Sequence, residues 1–385
     1  AVNFGRNEII RLGLANKVSS KFKKNKLNNK YIEIFYKLNE QKTTKFMAGC
    51  SYNLGDGLVL NIGTELNNFL GGGRDIALNV NKNKIMSEYT FSYFDQQFNN
   101  LGMGIGYNLY YRSEKLDKVR GSFERFSNTF GGYMHYSYKL GINTKINIGI
   151  GCDLTKLRIY EEAASMEVRE FLDREGFDFK EYYYSFLLNY NSLDKSVFPS
   201  SGLYNNFLFR ISLPFSNLQY YYLNYNLSFY KKVSENLILN ALSFIYYGNK
   251  YGNTSSYPFF KNFFMKGNIK VRGLKGKYIS PRDSSGAPCG GNFLFNLRLS
   301  FILPNLFGDY KTIRTALFFD SGQVCNINDE QNFNLSGFCS SIKFSFGLSL
   351  ICCTPFGLPI ELSLAYPLNI KNTDREDIFS LTLGM

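Results

Sequence analysis

From about residue 42 to the end of the chain, apolar and polar residues alternate in segments of about ten residues, separated by turn-forming residues. One such segment has an apolar face made of Tyr221, Leu223, Tyr225, Leu227 and Phe229. Its other face is mostly polar and carries Tyr222, Asn224, Asn226 and Ser228. Because successive side chains of a β-strand point to opposite sides, the pattern predicts strands with one apolar and one polar face.

Sixteen segments of this kind follow one another along the chain. Their predicted bounds are 43–53, 57–66, 74–83, 86–94, 101–112, 127–139, 144–153, 181–190, 202–213, 218–231, 235–248, 291–303, 312–323, 339–352, 358–366 and 377–384. A tilted strand of this length crosses the hydrocarbon layer of a membrane. Since an open sheet edge in lipid leaves backbone groups without hydrogen bonds, the strands must close into a ring. The sequence therefore predicts an all-β membrane protein, a sixteen-stranded antiparallel transmembrane β-barrel.

The connections between these strands differ in length on the two sides of the predicted barrel. Short turns follow even-numbered strands, as at 140–143, 232–234 and 354–357. The long connections all follow odd-numbered strands and comprise 113–126, 154–180, 249–290 and 324–338. This asymmetry is typical of outer-membrane barrels, whose short turns lie on the periplasmic side. Within the second long connection, helical spacing of apolar residues predicts a helix from Glu161 to Gly176.

The composition agrees with membrane strands rather than membrane helices. Phe and Tyr make up 17% of the residues, and tyrosine is favoured where apolar and aqueous surroundings meet. The mean hydropathy of −0.21 reflects the alternation of apolar and polar positions. No run of about eighteen uncharged apolar residues occurs, which excludes a transmembrane helix.

The chain has a formal net charge of +13. One interpretation is a general drift of composition toward Lys and Asn. The other is a basic periplasmic or lumenal surface that attracts anionic lipid headgroups. The basic residues are spread along the chain rather than clustered, so we expect no nucleic-acid binding.

The first forty residues have a different pattern from the rest of the chain. Asn7 to Leu14 is predicted as a short helix, and Lys17–Phe22 and Tyr31–Leu38 as strands. A helix and two strands are too few to bury a core of their own. We therefore interpret this segment as the end of a larger α/β domain.

The longest connection, 249–290, is called the signature loop below. It contains Val271-Arg272-Gly273-Leu274, then Ile279-Ser280-Pro281-Arg282-Asp283 and Gly290-Gly291-Asn292. These residues resemble the signature loop of the BamA barrel-assembly family of outer-membrane proteins. The usual core in that family is Val-Arg-Gly followed by Phe or Tyr, and here Leu274 stands at the aromatic position.

In that family the loop folds into the barrel lumen, where its arginine bonds polar residues of the inner wall. One face of the predicted strand 312–323 carries Arg314, Ala316, Phe318, Asp320 and Gly322. The segment 318–324 resembles the family strand that supplies the receiving aspartate. The resemblance thus implies an Arg272–Asp320 pair inside the barrel. Ser300 stands where the family usually has a second acid, and we take it as a further lumenal partner in a weaker or different arrangement.

Other segments resemble the same family in the same order along the chain. They are 68–73 (Asn-Phe-Leu-Gly-Gly-Gly), 198–202 (Phe-Pro-Ser-Ser-Gly), 354–357 (Thr-Pro-Phe-Gly) and 365–368 (Ala-Tyr-Pro-Leu). Residues 6–42 resemble the end of its last periplasmic POTRA domain. The resemblance implies a POTRA remnant at 1–41 and a transmembrane barrel at 42–385. The chain ends on Met385, whereas bacterial barrels commonly end on an aromatic residue.

The resemblance also implies a function and partners. The chain would be the central subunit of the machinery that folds and inserts β-barrel proteins into the outer membrane of a Gram-negative bacterium. Clients would enter at a weak lateral seam between the first and last strands, at Phe46, Gly49, Phe379, Leu381, Leu383 and Gly384. Its partners would be unfolded barrel clients, accessory BAM lipoproteins bound through the periplasmic region, and outer-membrane lipids.

Two alternatives for a non-enzymatic role remain open: a protein-export pore of the same family, and a general porin. We do not expect an enzyme, because the single histidine, His135, has no nucleophile motif nearby and is expected to line the lumen. No cofactor or metal is expected, since the seven cysteines lack metal-ligand spacing. Cys325 and Cys339 flank one predicted loop and are candidates either for a disulfide or for free thiols.

Overall fold

The computed structural model describes residues 15–24, 32–40, 44–53, 57–84, 86–96, 98–99, 102–119, 123–159, 164–195, 198–303, 313–327, 339–353 and 359–383. Sixteen antiparallel strands, numbered here in chain order as barrel strands 1 to 16, form one cyclic sheet. They are Thr44–Asn53, Gly57–Phe69, Arg74–Lys82, Met86–Asp95, Gly104–Val119, Phe123–Leu140, Thr144–Arg158, Asp178–Asn191, Gly202–Ser212, Tyr220–Ser234, Leu237–Lys250, Phe293–Leu303, Ile313–Cys325, Lys343–Cys353, Pro359–Leu368 and Phe379–Leu383. The predicted fold class and strand order are confirmed.

The side chains alternate between the lumen and the outer wall, as the two-residue period predicts. On barrel strand 14, Ser345 and Ser349 are buried inside, whereas Phe346 and Leu348 are about half exposed on the outer wall. On barrel strand 12 the inward residues are Leu294, Asn296, Arg298, Ser300 and Ile302. The outer wall is therefore apolar, and polar side chains are held inside.

In the described part of the chain, the ring has its fewest register pairs between barrel strands 16 and 1, a place called the weak junction below. Barrel strand 16 has five register pairs with strand 15, and barrel strand 1 has ten with strand 2. Strands 16 and 1 meet through one register pair in the described part of the chain, Thr382 with Asn53. A row of backbone groups on strand 1 consequently lacks a strand partner among these residues.

The two ends of the barrel differ as predicted, and are called the turn end and the loop end below. Short connections after even-numbered strands lie at the turn end, and the connections after odd-numbered strands lie at the loop end. The predicted long connection at 113–126 is wrong, because strands 5 and 6 continue to Val119 and from Phe123 with paired backbones. Charged residues interrupt the apolar alternation in this segment, but backbone pairing between two strands does not require that alternation.

The signature loop spans 251–292 in the structure, joining barrel strands 11 and 12. It contains two short 3-10 helices, Phe259–Lys261 and Gly276–Tyr278, and a two-residue strand, Gly273–Leu274. That strand pairs with Glu376–Asp377, which precede barrel strand 16. The last strand was predicted to begin at residue 377; it begins at Phe379 because Asp377 pairs with the loop instead.

The predicted helix at the loop end is present as Met166–Glu175, with Gly176 ending it at a positive φ of 85°. Its apolar face, Val168, Phe171 and Leu172, packs on residues from the barrel rim and the signature loop. The rim contributes Leu157, Phe179, Leu218 and Tyr220, and the loop contributes Phe259 and Phe260. The helix is also hydrogen-bonded to the loop, because Ser284 Oγ donates to the Glu167 carboxylate over 2.9 Å. The helix and the loop thus form one packed unit. In the described residues, no helix has the length and apolar content needed to span a bilayer.

Before the barrel, Ala15–Lys24 and Ile32–Glu40 form an antiparallel hairpin, in line with the two predicted strands. The assignment of residues 1–41 to a POTRA remnant stays a prediction. The predicted helix at 7–14, the turn at 354–357 and most of the connection 324–338 lie outside the described residues. Cys325 and Cys339 are both free thiols, so the candidate disulfide between them is not formed.

The alternation of lumenal and outer-wall residues predicts how charged substitutions affect the stability of the protein in a membrane. Replacing Leu348 with Arg places a charge on the outer wall near the middle of barrel strand 14 and should cost about 2–4 kcal/mol of unfolding free energy. Val233 is similarly exposed but lies at the turn end, so Val233→Arg is the matched control and should cost about 1 kcal/mol or less. Urea unfolding in lipid vesicles measures both; equal losses would contradict the assignment of the outer wall.

Candidate functional site in the barrel lumen

The signature loop turns back into the lumen, where its central residues are buried. Val271 is fully buried and Leu274 is 5% exposed. Both belong to an apolar cluster that joins the loop to the inner wall and contains Met265, Val271, Leu274, Ile279, Leu294 and Val324. Leu274, at the position that is aromatic in the resembling family, therefore fills an apolar role inside the barrel.

Arg272 is held by two carboxylates. Its Nε and Nη2 donate to the two oxygens of Asp320, each over 2.7 Å, and its backbone N–H donates to the same carboxylate over 3.1 Å. Its Nη1 donates to Glu361 Oε1 over 2.8 Å. The structure thus brings Arg272 and Asp320 together in the bidentate geometry that a planar guanidinium permits.

Three successive inward-facing residues of barrel strand 13 form the binding site of Arg272 and the space for the loop around it. The Phe318 ring lies under the guanidinium, 3.5 Å from Cζ to the ring centroid. Asp320 accepts its hydrogen bonds two residues further on. A side chain at Gly322 would come within 2.5 Å of Met265 of the loop, so the glycine makes room for the loop. This explains the segment Phe-Phe-Asp-Ser-Gly at 318–322 in physical terms.

Gly273 allows the loop to approach the opposite wall. Its φ of 91° is a conformation that glycine adopts easily. An added Cβ would lie 2.9 Å from Cβ of Ala365 and 3.3 Å from Pro367 Cδ on barrel strand 15. The Val-Arg-Gly segment at 271–273 and the Ala-Tyr-Pro segment at 365–367 are therefore two sides of one close contact.

Glu361 is a site residue that the sequence interpretation missed. It lies on barrel strand 15, is 2% exposed, and supplies the second carboxylate. Ser300, which was predicted to take part, is buried on strand 12 but makes no hydrogen bond with the loop among the described residues. Two residues before it, Arg298 Nη1 donates to the backbone oxygen of Asn268 in the loop over 3.0 Å. Strand 12 is therefore hydrogen-bonded to the loop through the Arg298 guanidinium rather than through Ser300.

A third cation, Lys270, stands beside this group. Burial lowers the pKa of the Lys270 ammonium to about 8; Glu361 opposes this shift, and Arg298 and Arg272 reinforce it. Its Nζ donates to Thr382 Oγ1 on barrel strand 16 over 2.7 Å. The lumenal charge cluster thus contains Arg272, Arg298, Lys270, Asp320 and Glu361, three cations and two carboxylates.

The loop also fixes the segment that leads into the last strand. Besides the pairing of Gly273–Leu274 with Glu376–Asp377, the Lys275 N–H donates to the backbone oxygen of Arg375 over 2.8 Å. Arg282 Nη2 donates to the backbone oxygen of Thr373 over 2.5 Å. The start of barrel strand 16 is consequently held from inside the lumen.

The predicted seam residues lie on both sides of the weak junction. Phe46 and Phe379 are strongly exposed on the outer wall, at 84% and 60%. Gly49 is paired with Asn61 on strand 2. Leu381 lies on strand 16, paired with Leu362; the side chain of Leu383 and all of Gly384 lie outside what the structure describes. The residues that meet across the junction, Asn53 and Thr382, were not among those predicted.

The turn containing Phe198 folds toward the lumen at the turn end. Arg314, at the start of barrel strand 13, donates to the backbone oxygens of Phe198 and Pro199 over 2.8 Å each. Its guanidinium also lies 4.8 Å from the Phe198 ring centroid. The Phe-Pro-Ser-Ser-Gly segment is therefore an inward contact and not a free surface turn.

The combination of a sixteen-stranded barrel with a Val-Arg-Gly loop in its lumen restricts the protein families to which the chain can belong. Residues 68–385 match the Omp85 superfamily domain. The chain belongs to the Omp85 superfamily. It is accordingly an outer-membrane β-barrel protein of the Gram-negative type, which confirms the predicted localisation and family resemblance.

Individual Omp85 relatives agree with this assignment. The chain is 25% identical over 384 residues to the outer membrane protein assembly factor BamA of Neisseria meningitidis serogroup B, covering 92% of this chain and 48% of that protein. The chain thus spans about half the length of that relative. The crystal structure of BamA from Haemophilus ducreyi lacking POTRA domains 1–3 superposes with a TM-score of 0.85 at 25% identity, covering 99% of this chain and 77% of that one.

Two further solved structures share the fold. CdiB from Acinetobacter baumannii has a TM-score of 0.58 at 13% identity, covering 97% of this chain and 65% of that one. CdiB from Escherichia coli has a TM-score of 0.59 at 14% identity, covering 99% of this chain and 69% of that one. These two resemblances concern the fold alone.

Removing Arg272 should detach the signature loop from the inner wall of the barrel. Arg272→Ala leaves two buried carboxylates without their main partner and should cost about 3–5 kcal/mol. Arg272→Lys should recover only part of this loss, since an ammonium cannot bind Asp320 through two parallel bonds. The measurement is the temperature at which the folded band is lost in heat-modifiable gel migration. Arg174→Ala, on the exposed side of the loop helix, is the control; wild-type behaviour of Arg272→Ala would contradict the pairing.

The contact at Gly273 gives a second prediction. Gly273→Ala combines backbone strain with a steric clash against Ala365, whereas Gly286→Ala, at a φ of 79° with open space around it, carries strain only. We expect Gly286→Ala to cost about 1 kcal/mol and Gly273→Ala clearly more. Adding Ala365→Gly should restore part of the Gly273→Ala loss, in the same gel assay. Equal losses of stability in Gly273→Ala and Gly286→Ala would show that the close approach of Gly273 to Ala365 does not affect stability.

Proposed function

We propose that the chain folds and inserts β-barrel proteins into the outer membrane at the seam between barrel strands 1 and 16. The observation that carries this proposal is the single register pair, Asn53 with Thr382, that joins these strands in the described part of the chain. The Neisseria meningitidis relative, which is named an outer membrane protein assembly factor, supports the same role.

The seam suits strand addition for a physical reason. An edge strand presents a row of backbone donors and acceptors, and a client strand can pair with it by β-augmentation. Inside a membrane such an edge is costly to leave unpaired, so a client strand that reaches it is bound strongly. Barrel strand 1 offers ten residues for this pairing, of which Asn53 meets strand 16.

The lumenal loop makes the two sides of the seam unequal. Strand 16 is preceded by Glu376–Asp377, which pair with the loop, and Thr382 accepts a hydrogen bond from Lys270. Among the described residues, no hydrogen bond joins strand 1 to the signature loop. We therefore infer that strand 16 stays with strand 15 and the loop, and that strand 1 is the edge that receives the client.

The proposed partners follow from this role. They are unfolded barrel clients at the seam, outer-membrane lipids around it, and accessory lipoproteins that bind the periplasmic part of the protein, of which 1–41 would be a remnant. The free energy for insertion would come from the folding of the client, without an enzymatic step, cofactor or metal.

A disulfide across the seam tests the proposal. Asn53→Cys with Thr382→Cys, in a background without the seven native cysteines, should block client insertion when oxidised and restore it when reduced. Ser363→Cys with Ser380→Cys is the matched control, because these residues are paired between strands 15 and 16 with their hydroxyls 2.6 Å apart. The readout is folding of a client barrel in proteoliposomes that contain the complete protein.

The two engineered disulfides distinguish an assembly function from an export function. Locking the seam should abolish client folding, and locking strands 15 and 16 should leave at least about half of it. Full client folding with a locked seam would refute the proposal. If the complete protein instead secreted a soluble polypeptide through a locked barrel, the function would be that of an export pore.

A further inference from the structure

A large cavity occupies the loop end of the lumen, between the signature loop and the start of barrel strand 16. Its volume is about 1040 Å³, and Leu381 and Thr382 of strand 16 form part of its wall. Sites for small ligands commonly enclose about 300–1,000 Å³. The cavity therefore has room for a group larger than a single ion, and it borders the seam.

The charge of the cavity wall is unbalanced. Its described lining includes ten Lys and Arg residues but four Asp and Glu residues; one of the ten, Arg272, is already paired with Asp320 and Glu361, which do not line the cavity. Three of the four carboxylates already have partners. Glu167 accepts from Ser284, Asp283 accepts from the backbone N–H groups of Ser285 and Ala287, and Glu114 lies 3.7 Å from Lys266. Asp377 is the remaining acid among these lining residues.

The two arginines beside Tyr278 are not neutralised by these acids. The guanidinium of Arg375 lies 4.5 Å from the Tyr278 ring centroid, and that of Arg282 lies 5.8 Å from it. Arg282 donates to the backbone oxygens of Gly286 and Thr373, which carry no charge. Among the described residues, neither arginine forms an ion pair with a carboxylate, whereas Asp377 interacts electrostatically with Lys275 and Lys270.

These groups come from separate parts of the chain. Lys275 and Arg282 belong to the signature loop, whereas Arg375 belongs to the connection before strand 16. Pairing of the loop with Glu376–Asp377 brings the two segments together. The fold thus brings these cationic side chains together. They repel one another unless an anion is bound between them.

We propose that this cavity binds a phosphate-bearing anion. Guanidinium groups meet phosphate through parallel hydrogen bonds, and lysines add point charges, so the group around Tyr278 suits a phosphate oxygen array. The ligand is either the phosphorylated headgroup of an outer-membrane lipid that reaches in beside strand 16, or a soluble phosphate. This inference does not depend on the proposed assembly function.

Titration of the complete protein in a neutral detergent with pyrophosphate tests the site. We expect saturable binding, and an affinity at least tenfold weaker in Lys275→Gln/Arg282→Gln/Arg375→Gln, whose side chains line the cavity. Lys139→Gln/Lys195→Gln/Lys231→Gln is the matched control, since it removes three exposed charges at the turn end. The control should change the affinity less than twofold. Isothermal titration calorimetry measures both, and unchanged heat-modifiable migration shows that the variants are folded.

Two outcomes would overturn the proposal: absence of saturable binding by the wild type, or equal weakening in the two triple variants, which would indicate a general charge effect. Repeating the titration in micelles that contain phosphatidylglycerol identifies the source of the ligand. Competition between the lipid and pyrophosphate would assign the site to a lipid headgroup. Unchanged pyrophosphate affinity would assign it to a soluble phosphate.

Discussion

The ion pair between Arg272 and Asp320 is the constraint on which the arrangement of the lumen depends. Both side chains are at most 2% exposed, and each ion has lost several kcal/mol of hydration. The bidentate geometry, the second carboxylate from Glu361 and the Phe318 ring together offset this loss. Because the partners come from the loop and from strands 13 and 15, satisfying one arginine fixes the position of the loop relative to both strands.

The sequence predicted the barrel well because its strongest signal is local. A period of two residues is written within each strand, so bounds such as 144–153 and 202–213 fall within a few residues of the observed Thr144–Arg158 and Gly202–Ser212. Where charged residues interrupt the apolar pattern, as after Arg112, the strand continued through backbone pairing and the prediction ended too early. Local patterning cannot report this continuation, since the partner strand supplies the backbone hydrogen bonds.

The charge cluster was predictable only in part, because it depends on register across several strands. The Arg272–Asp320 pair came from resemblance rather than from spacing. Glu361 left a usable signal: it is the one charged residue in the strand Pro359–Leu368 and shares an inward face with Ser363 and Ala365. A charged residue on the lumenal face of a membrane strand needs a partner. Which loop residue would meet it could not be read without the fold of the loop.

Barrel strand 13 carries two obstructions of the lumen at different heights. Asp320 holds the loop in mid-barrel, while Arg314 holds the Phe198 turn near the opposite mouth. Small solutes that cross the barrel would have to pass both. Since one strand anchors both obstructions, its displacement would open a leak at two levels at once.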